Sequence, residues 1–413
     1  MIVFNLQRCY KLSQLTESGR HVWKVSSLSC HKMCLHYSES FVTHIIIATA
    51  HLGERSHAML KKQNELADWE HISLRDCATL FSKERIGEIA SRRVSTGFPE
   101  LDRSLGGGLT NGLYVLGAVP GLGKSTLALQ IACNLSGQGI PVLYFAMEMN
   151  RSWIAAKSLS RADFLLHRGA GLQVADLLNA EKARAFSQHE WERIDQAREQ
   201  VERESANLYL YEQRPGLTNI GDIQNCIQSF RESHRQQYGR LPLMVVVDYL
   251  QILAPREAAL RASDKQIVDD NVRELCKIRD QMGVIILLIS ALNRVSYNRP
   301  ITLNSFKESG SIEYSADVIL GMQYQDINRK YFSLDAAKAR RPRELELTVL
   351  KMRYGQDGVH IPLHFYSDSS CFLQPDGAGM STATRIQELR QTLGACPIQY
   401  HDGFHQRARR LRG

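Results

Sequence analysis

Residues 118–126, which read AVPGLGKST, have the residue types and spacing of a loop that binds a nucleoside triphosphate. They match the pattern G-x-x-x-x-G-K-[ST], with an alanine at the first glycine position, where only a small residue is required. Gly121 and Gly123 allow backbone amides to turn toward phosphate oxygens without a Cβ in the way. Lys124 is expected to reach the β- and γ-phosphates, and Ser125 is expected to ligate Mg²⁺. The predicted nucleotide contacts of this P-loop are Ala118, Pro120, Gly121, Gly123, Lys124, Ser125 and Thr126.

Two carboxylates follow apolar runs elsewhere in the chain. The run LMVVVDYLQIL at 243–253 places Asp248 at the carboxyl end of a predicted strand, where ligands of open α/β sheets bind. Asp248 is therefore the predicted second protein ligand of Mg²⁺. The run VLYFAMEMN at 142–150 places Glu148 at the end of the next predicted strand, where a carboxylate can deprotonate an attacking water. The alternative for Glu148 is that it caps the following helix.

The elements that must position these residues lie between Val94 and about Leu373. Short apolar or β-branched runs alternate there with longer amphipathic stretches, a pattern typical of a mainly parallel sheet covered by helices on both faces. The sequence therefore predicts an α/β fold. The predicted strands are 113–118, 142–147, 207–211, 243–248, 284–290, 317–323 and 345–352.

Composition limits the classes of protein that the chain can belong to. The 413 residues carry 51 Lys and Arg against 43 Asp and Glu, and 44% are hydrophobic, which excludes a disordered, collagen-like or coiled-coil chain. No apolar run is long enough to cross a bilayer, and the first residues lack the apolar core of a signal peptide. Nine cysteines at irregular spacing favour a reduced, cytoplasmic setting. The net charge of +8 permits a nucleic-acid partner without requiring one.

The texture of the sequence divides the chain into three regions. Residues 1–90 have no clear fold signal, although 74–90 have apolar residues near helical spacing and are predicted to form a linker helix. Residues 91–374 form the predicted ATPase domain. Residues 375–413 end in QRARRLRG and are predicted to be a basic, flexible tail.

Five segments together resemble the C-terminal RecA-like domain of DnaB-type replicative helicases. They are STGFPELDRSLGGGL (95–109), the P-loop, YFAMEM, VVVDYLQIL and FKESGSIEYSADVI (306–319), and they occur in the family's order. In detail the sequence is most similar to DnaB-like proteins carried by phages and integrative elements of Gram-positive bacteria. The resemblance implies a RecA-like P-loop NTPase fold and a ring, usually a homo-hexamer, with ATP bound between neighbouring subunits.

The resemblance also implies roles for individual residues. Lys124, Ser125 and Asp248 would hold ATP and Mg²⁺, and Glu148 would be the general base. A Lys-x-Arg pair near the last strand of the family reaches the neighbour's site as an arginine finger, and Lys351-Met352-Arg353 stands at the matching place. The alternative for Lys351 and Arg353 is a solvated strand end.

Two features depart from the family pattern. The family has a glutamine that senses the γ-phosphate at the position of Ala291, and alanine has no side-chain hydrogen bond to offer. Coupling of hydrolysis to DNA movement would therefore have to run through Asn293 and Arg294. The helical collar that recruits primase in the family is not recognisable in residues 1–90, so no primase or loader partner is assigned.

Single-stranded DNA is the partner that the resemblance implies, bound by loops that face the channel of the ring. Lysine and arginine side chains there would follow phosphates with little sequence preference, although surface lysines and arginines are often simply solvated. The candidates are Arg256, Arg261, Lys265, Arg294, Arg299 and Lys307.

Two functions follow from these observations. The first is an ATP-driven helicase that moves on single-stranded DNA and unwinds duplex. The second is a RecA-like ATPase that binds DNA or regulates a partner without unwinding; Ala291 and the absence of a recognisable collar favour it. A small-molecule kinase is disfavoured because the sequence has no lid-like arginine cluster.

Overall fold

The computed structural model describes residues 73–79, 87, 92–167, 171–212, 218–239, 241–255, 262–307 and 309–375. The chain divides into two compact units, residues 1–82 and 83–413. In the first unit, helix α1 spans Leu74–Thr79. The rest of the predicted 74–90 helix lies outside the described residues, apart from Gly87, which is helical. The domain boundaries at 90 and 374 stay predictions, and the predicted tail beyond residue 375 also lies outside the described residues.

A nine-stranded sheet organises the second unit, in the order β3-β2-β4-β5-β1-β6-β7-β8-β9. The strands from β1 to β6 pair in parallel, and the pairs β6–β7, β7–β8 and β8–β9 are antiparallel. The prediction of a mainly parallel α/β fold is confirmed. The strands are β1 (Gly112–Ala118), β2 (Val142–Ala146), β3 (Leu208–Glu212), β4 (Met244–Asp248), β5 (Ile285–Ala291), β6 (Val318–Tyr324), β7 (Arg343–Met352), β8 (Val359–Tyr366) and β9 (Cys371–Leu373).

Helices cover the parallel strands because those strands are apolar on both faces. All residues of β1, β2, β4 and β6 are buried, as expected for parallel strands between two layers of helices. The helices of this unit are α2 (Pro99–Ser104), α3 (Lys124–Gly137), α4 (Arg151–Leu166), α5 (Val174–Leu177), α6 (Ala180–Arg184), α7 (Gln188–Glu204), α8 (Ile220–Ser233), α9 (Arg235–Tyr238), α10 (Asp264–Met282), α11 (Ser309–Ser315) and α12 (Leu334–Ala339).

Polar residues mark where the longer helices begin. The side chains of Asn150, Ser187, Asn219 and Ser263 accept hydrogen bonds from backbone amides in the first turns of α4, α7, α8 and α10. These are residue types favoured at helix N-caps, because their oxygen atoms satisfy amides that have no partner within the helix. Helix α3 differs, since glycine stands at its N-cap and no side chain caps it.

The antiparallel side of the sheet is where the structure adds to the sequence analysis. Each predicted strand corresponds to an observed one, but β8 and β9 were not predicted, and β7 runs opposite to the strands before it. The connection between β6 and β7 contains only the six-residue α12. Among the described residues, no helix is both long and apolar enough to cross a membrane.

Candidate nucleotide-binding site

The P-loop connects the end of β1 to the start of α3 at the carboxyl edge of the parallel strands. Gly121 and Gly123 have φ angles of 82° and 92°, a left-handed conformation that glycine adopts without strain. Because no side chain caps α3, the first amides of this 14-residue helix face the loop. A helix N-terminus of this kind attracts anions through its free N–H groups and its dipole. The loop thus has the backbone conformation and the free amides that binding of phosphate groups requires.

Aromatic side chains of the antiparallel hairpin support the P-loop from behind. A Cβ atom at Gly123 would lie 2.8 Å from Cζ of Phe365 and 3.0 Å from Cζ of Phe372. These two rings are stacked, with centroids 4.2 Å apart and planes 9° from parallel. Glycine at position 123 is therefore required by packing as well as by its backbone conformation. Neither β8 nor β9 has a sequence pattern that predicts this contact with the P-loop.

Asp248 is buried at the end of β4, beside the start of α3. Ser125 Oγ donates to Asp248 Oδ1 at 3.1 Å, and the Tyr144 hydroxyl donates to Asp248 Oδ2 at 3.0 Å. Burial raises the pKa of Asp248 to about 6, although the hydrogen bonds from Ser125 and Tyr144 act in the opposite direction. The charge of Glu148 also raises this pKa and that of Lys124 lowers it. The predicted ligand and catalytic residues on β4, on α3 and in the turn after β2 therefore lie near one another.

Glu148 lies in the turn between β2 and α4, with an exposed side chain. The alternative that it caps α4 is wrong, because Asn150 occupies the N-cap and its Oδ1 accepts from the Trp153 amide at 3.1 Å. Its negative charge acts on Asp248, Tyr144 and Tyr249. The carboxylate is therefore free of a capping role and lies at the open side of the site.

Lys157 is a member of this site that the sequence analysis missed. Its Nζ donates to Thr126 Oγ1 at 3.0 Å and to Ser370 Oγ at 3.5 Å. Burial lowers its pKa below the ordinary lysine value, while the negative charge of Asp248 raises it. The amine thus ties α4 to the first turn of α3. A lysine on an amphipathic helix carries no sequence signal for such a contact.

Comparison with known proteins identifies the family of this chain. The family model described as "DnaB-like helicase C terminal domain" matches residues 93–374. The chain belongs to the DnaB-like helicase C-terminal domain family.

Curated relatives agree with the family match. The chain is 30% identical over 284 residues to the replicative DNA helicase DnaB of Leifsonia xyli subsp. xyli, covering 66% of this chain and 54% of that protein. It is 30% identical over 233 residues to the DnaB of Pasteurella multocida, covering 55% and 45%. The replicative DNA helicase DnaC of Bacillus subtilis is 25% identical over 299 residues, covering 70% and 58%. The chain thus spans about half the length of these relatives.

Solved structures support the fold. A structure titled as an ATPase domain has a TM-score of 0.61 at 21% identity, covering 74% of this chain and all of that chain. A structure titled as a DnaB-like replicative helicase and its interactions with primase has a TM-score of 0.60 at 20% identity, covering 83% and 81%. The RecA-like fold of a DnaB-type ATPase domain is therefore confirmed.

Ala291, where the sequence predicts a departure from the family pattern, is the last residue of β5. The backbone amide of Ala291 donates to Gln251 Oε1 at 3.1 Å, and Gln251 Nε2 donates to Ser290 Oγ at 3.0 Å. The amide group of Gln251 thus lies beside Ala291, at the carboxyl edge that also bears the P-loop. The side chain of Asn293 is engaged elsewhere, since its Nδ2 donates to the carbonyl oxygens of Asn304 and Phe306, each at 3.2 Å.

Lys351 and Arg353 lie away from the P-loop of their own chain, toward the start of β6. Lys351 pairs with Ile319 near the start of β6, and β6 runs parallel to β1. Lys351 is therefore level with Val115, three residues or about 10 Å before the end of β1 at Ala118. The amide of Arg353 donates to the Asp317 carbonyl, level with Leu113, which is five residues or about 17 Å before that end. The predicted finger pair and the P-loop are therefore not brought together within one chain.

Both basic side chains contact the region between α11 and β6. Lys351 Nζ donates to the carbonyl oxygens of Glu313 and Ala316, the latter at 2.8 Å. Arg353 Nη2 donates to the Tyr314 carbonyl at 3.1 Å, and its Nη1 lies 3.2 Å from Asp317 Oδ1. The alternative of a purely solvated strand end does not describe these contacts.

The predicted DNA-binding residues are only partly described. Arg256 and Arg261 lie outside the described residues. Bridge pairing of Leu292 with Phe306 closes a loop that leaves the same edge of the sheet as the P-loop. The loop and its flanks expose Arg294, Arg299 and Lys307, and Lys265 is exposed at the start of α10.

Proposed function

We propose that this chain is an ATP-dependent DNA helicase of the DnaB type, which hydrolyses ATP between subunits of a homo-hexameric ring and moves on single-stranded DNA. The observation that carries the proposal is the convergence of Ser125 and Asp248, with the charges of Lys124 and Glu148, at the N-terminus of α3. Membership of the DnaB-like family supports the choice of DNA as partner. A cytoplasmic setting is part of the proposal, supported by the free thiols at Cys133, Cys226, Cys276 and Cys371.

The protein groups fit a magnesium-bound triphosphate. A serine hydroxyl and a carboxylate 3.1 Å apart are hard oxygen donors, and Mg²⁺ is typically held by one or two such groups together with phosphate oxygens. Ser125 and Asp248 would hold the ion. When bound, Mg²⁺ neutralises charge that develops on the phosphate oxygens.

Other groups of the chain would bind the phosphates, accept the proton of the attacking water and stabilise charge on the transferred phosphoryl group. Backbone amides of the P-loop and the Lys124 ammonium bind and orient the phosphates. Glu148, at the open side, accepts a proton from the attacking water. Arg353 of a neighbouring copy supplies positive charge to the transferred phosphoryl group, because the Arg353 of the same chain lies away from its own P-loop, toward the start of β6.

The second candidate function is a RecA-like ATPase that binds DNA or regulates a partner without unwinding. Ala291 favours it, since the amide nearest to that position, from Gln251, is bonded to Ser290 and to the Ala291 backbone. Only an assay of strand separation distinguishes this function from the helicase.

The test compares ATP hydrolysis, with and without single-stranded DNA, to the unwinding of a forked duplex. The helicase predicts DNA-stimulated turnover and strand separation in the unmodified chain. Glu148→Gln is expected to lower turnover by about 100-fold or more with ATP binding retained, and Lys124→Ala is expected to weaken binding itself. Stimulated hydrolysis without strand separation would support the second function. Full turnover in Glu148→Gln would place the general base elsewhere.

A further inference from the structure

We infer that Arg343 is a positioning residue for the P-loop, acting from the first position of β7. The inference rests on the proposed nucleotide-binding role of that loop. Arg343 Nη1 donates to the carbonyl oxygen of Gly121 at 3.1 Å, across 222 positions of sequence. Its Nε donates to the carbonyl oxygen of Lys338 at 3.1 Å, which fixes the guanidinium from the other side. One side chain therefore joins the last turn of α12 to the tip of the P-loop.

The cross-strand partner of Arg343 contacts the same loop. Arg343 pairs with Phe365 in the β7–β8 register, and its guanidinium carbon lies 5.9 Å from the centroid of that ring. A guanidinium in this position is attracted by the ring face. Phe365 in turn packs against Gly123. Adjacent positions on two paired strands thus hold the two glycines of the P-loop, one by a hydrogen bond and the other by packing.

Gly121 is the position of the loop that this hydrogen bond restrains, because it has no side chain of its own, whereas the neighbouring Leu122 is anchored by its buried side chain. Gly121 has a φ of 82°, and no heavy atom lies within 4 Å of the position that a Cβ would take there. The amide of Leu122 donates to the Val119 carbonyl at 3.4 Å, a long hydrogen bond that closes the turn only weakly. A donor that holds the Gly121 carbonyl directed away from the site keeps the following amides turned toward the phosphates. Arginine is suited to this, since it stays charged and offers its donors in a fixed plane.

The chain offers a matched control in Arg341. Its Nε donates to Asp368 Oδ2 at 2.8 Å, and its Nη1 donates to the carbonyl oxygens of Lys338 and Arg340, each at 2.9 Å. Its substitution removes the same charge from the same loop, and no described hydrogen bond joins it to the P-loop. Both arginines contact the Lys338 carbonyl, so any effect of Arg343→Ala beyond that of Arg341→Ala reports the contacts of Arg343 with Gly121 and with the Phe365 ring.

The experiment measures ATP binding, kcat and KM in the full chain for Arg343→Ala, Arg343→Lys and Arg341→Ala, with the unfolding temperature of each nucleotide-free protein. Loss of a hydrogen bond from a charged donor at a partly exposed site is expected to raise Kd and KM about tenfold, with a smaller change in kcat. Arg343→Lys retains a charged donor for the Gly121 carbonyl and is expected to recover part of the affinity. Unfolding temperatures of the two alanine variants are expected to agree.

Two outcomes would overturn the inference. The first is that Arg343→Ala binds ATP as tightly as Arg341→Ala does. The second is that it loses affinity only in proportion to a lowered unfolding temperature, and Arg343→Lys regains neither. ATP binding by the unmodified chain tests the proposed function separately, because it requires no variant. If the unmodified chain binds no ATP, both the proposed function and this inference are wrong.

Discussion

The buried carboxylate of Asp248 lowers the free energy of unfolding of the nucleotide-free protein at neutral pH. It is fully buried, and burial is the main reason that its pKa rises to about 6 from an ordinary value of 3.8. Between those two values the native protein binds more protons than the unfolded chain does. The free energy of unfolding therefore falls as the pH rises through this interval, and above it the nucleotide-free protein holds an unfavourable buried charge.

Asp248→Asn is predicted to stabilise the nucleotide-free protein at pH 8, on the order of 2 kcal/mol, and to give a smaller gain at pH 5. The reason is that asparagine removes the buried charge and keeps the shape of the side chain and one acceptor oxygen, while its NH2 group can donate to the second hydroxyl. Denaturant unfolding at both pH values measures the difference. Glu148→Gln is the control, since it removes an exposed carboxylate from the same site and should change stability less. A less stable Asp248→Asn at pH 8 would contradict the prediction.

Among individual residues, the sequence predicted those that belong to a local motif. The P-loop pattern and the apolar runs ending in Glu148 and Asp248 are local signals, and parallel pairing brings their carboxyl ends to one edge. Lys157 and Gln251 were missed because their partners, Thr126 and Ala291, lie 31 and 40 positions away. No local pattern distinguishes them from ordinary surface residues. The catalytic and ligand roles themselves stay predictions.

The hairpin of β8 and β9 is the element that supports the P-loop. Phe365 on β8 and Phe372 on β9 stack beneath Gly123, and Gln130 of α3 exchanges two hydrogen bonds of 2.8 Å with the backbone of Phe372. The start of α3 and the antiparallel side of the sheet are thus one packed body. A substitution that adds volume at Gly123 should therefore disturb the packing of both the start of α3 and the β8–β9 hairpin.

Gly123→Ala is predicted to lower the free energy of unfolding more than Gly139→Ala, by about 1–3 kcal/mol, because only the first forces a Cβ into packed rings. The two glycines have φ angles of 92° and 83°, so the backbone strain is similar. No heavy atom lies within 4 Å of the Cβ position at Gly139. Denaturant unfolding of both variants measures the difference. Equal losses would show that the hairpin does not restrain the loop.

The sequence predicted the strands that are short, apolar runs and missed those with another pattern. In β8, Val359, Ile361 and Leu363 alternate with polar residues and with Pro362, and proline within a run argues against a strand. The sheet tolerates Pro362 because β9 pairs only with residues 364–366, which leaves that part of β8 without a second neighbour. The direction of β7 depends on how the chain returns from β6, which no residue pattern specifies.

The whole molecule keeps its two sets of predicted catalytic groups apart along the sheet. The P-loop and Glu148 lie at the carboxyl edge of the parallel strands, and Arg353 lies near the start of β6. The sheet between them is a packed core that does not fold back on itself. A complete catalytic pocket of the proposed kind therefore requires two copies of the chain.

Mixing two inactive variants is predicted to restore ATP hydrolysis. Lys124→Ala leaves Arg353 intact, and Arg353→Ala leaves the P-loop intact, so an equal mixture of subunits completes about one quarter of the interfaces in a cyclic ring. Each variant alone should be nearly inactive. A mixture of Lys124→Ala with Glu148→Gln is the control, since both defects belong to the same half of the pocket and no interface regains both groups. Absence of recovery in the first mixture would contradict action between subunits.

Strand β7 connects the two sets of predicted catalytic groups, because one of its ends contacts the P-loop and the other leads to the predicted arginine finger. Arg343 at its start bonds the tip of the chain's own P-loop, and Lys351 and Arg353 stand at its far end. A ten-residue strand paired on both sides behaves as a stiff rod. In the proposed ring, each copy of β7 would therefore stand between the pocket of its own chain and the pocket that it completes on its neighbour, so that a displacement of this strand would alter both.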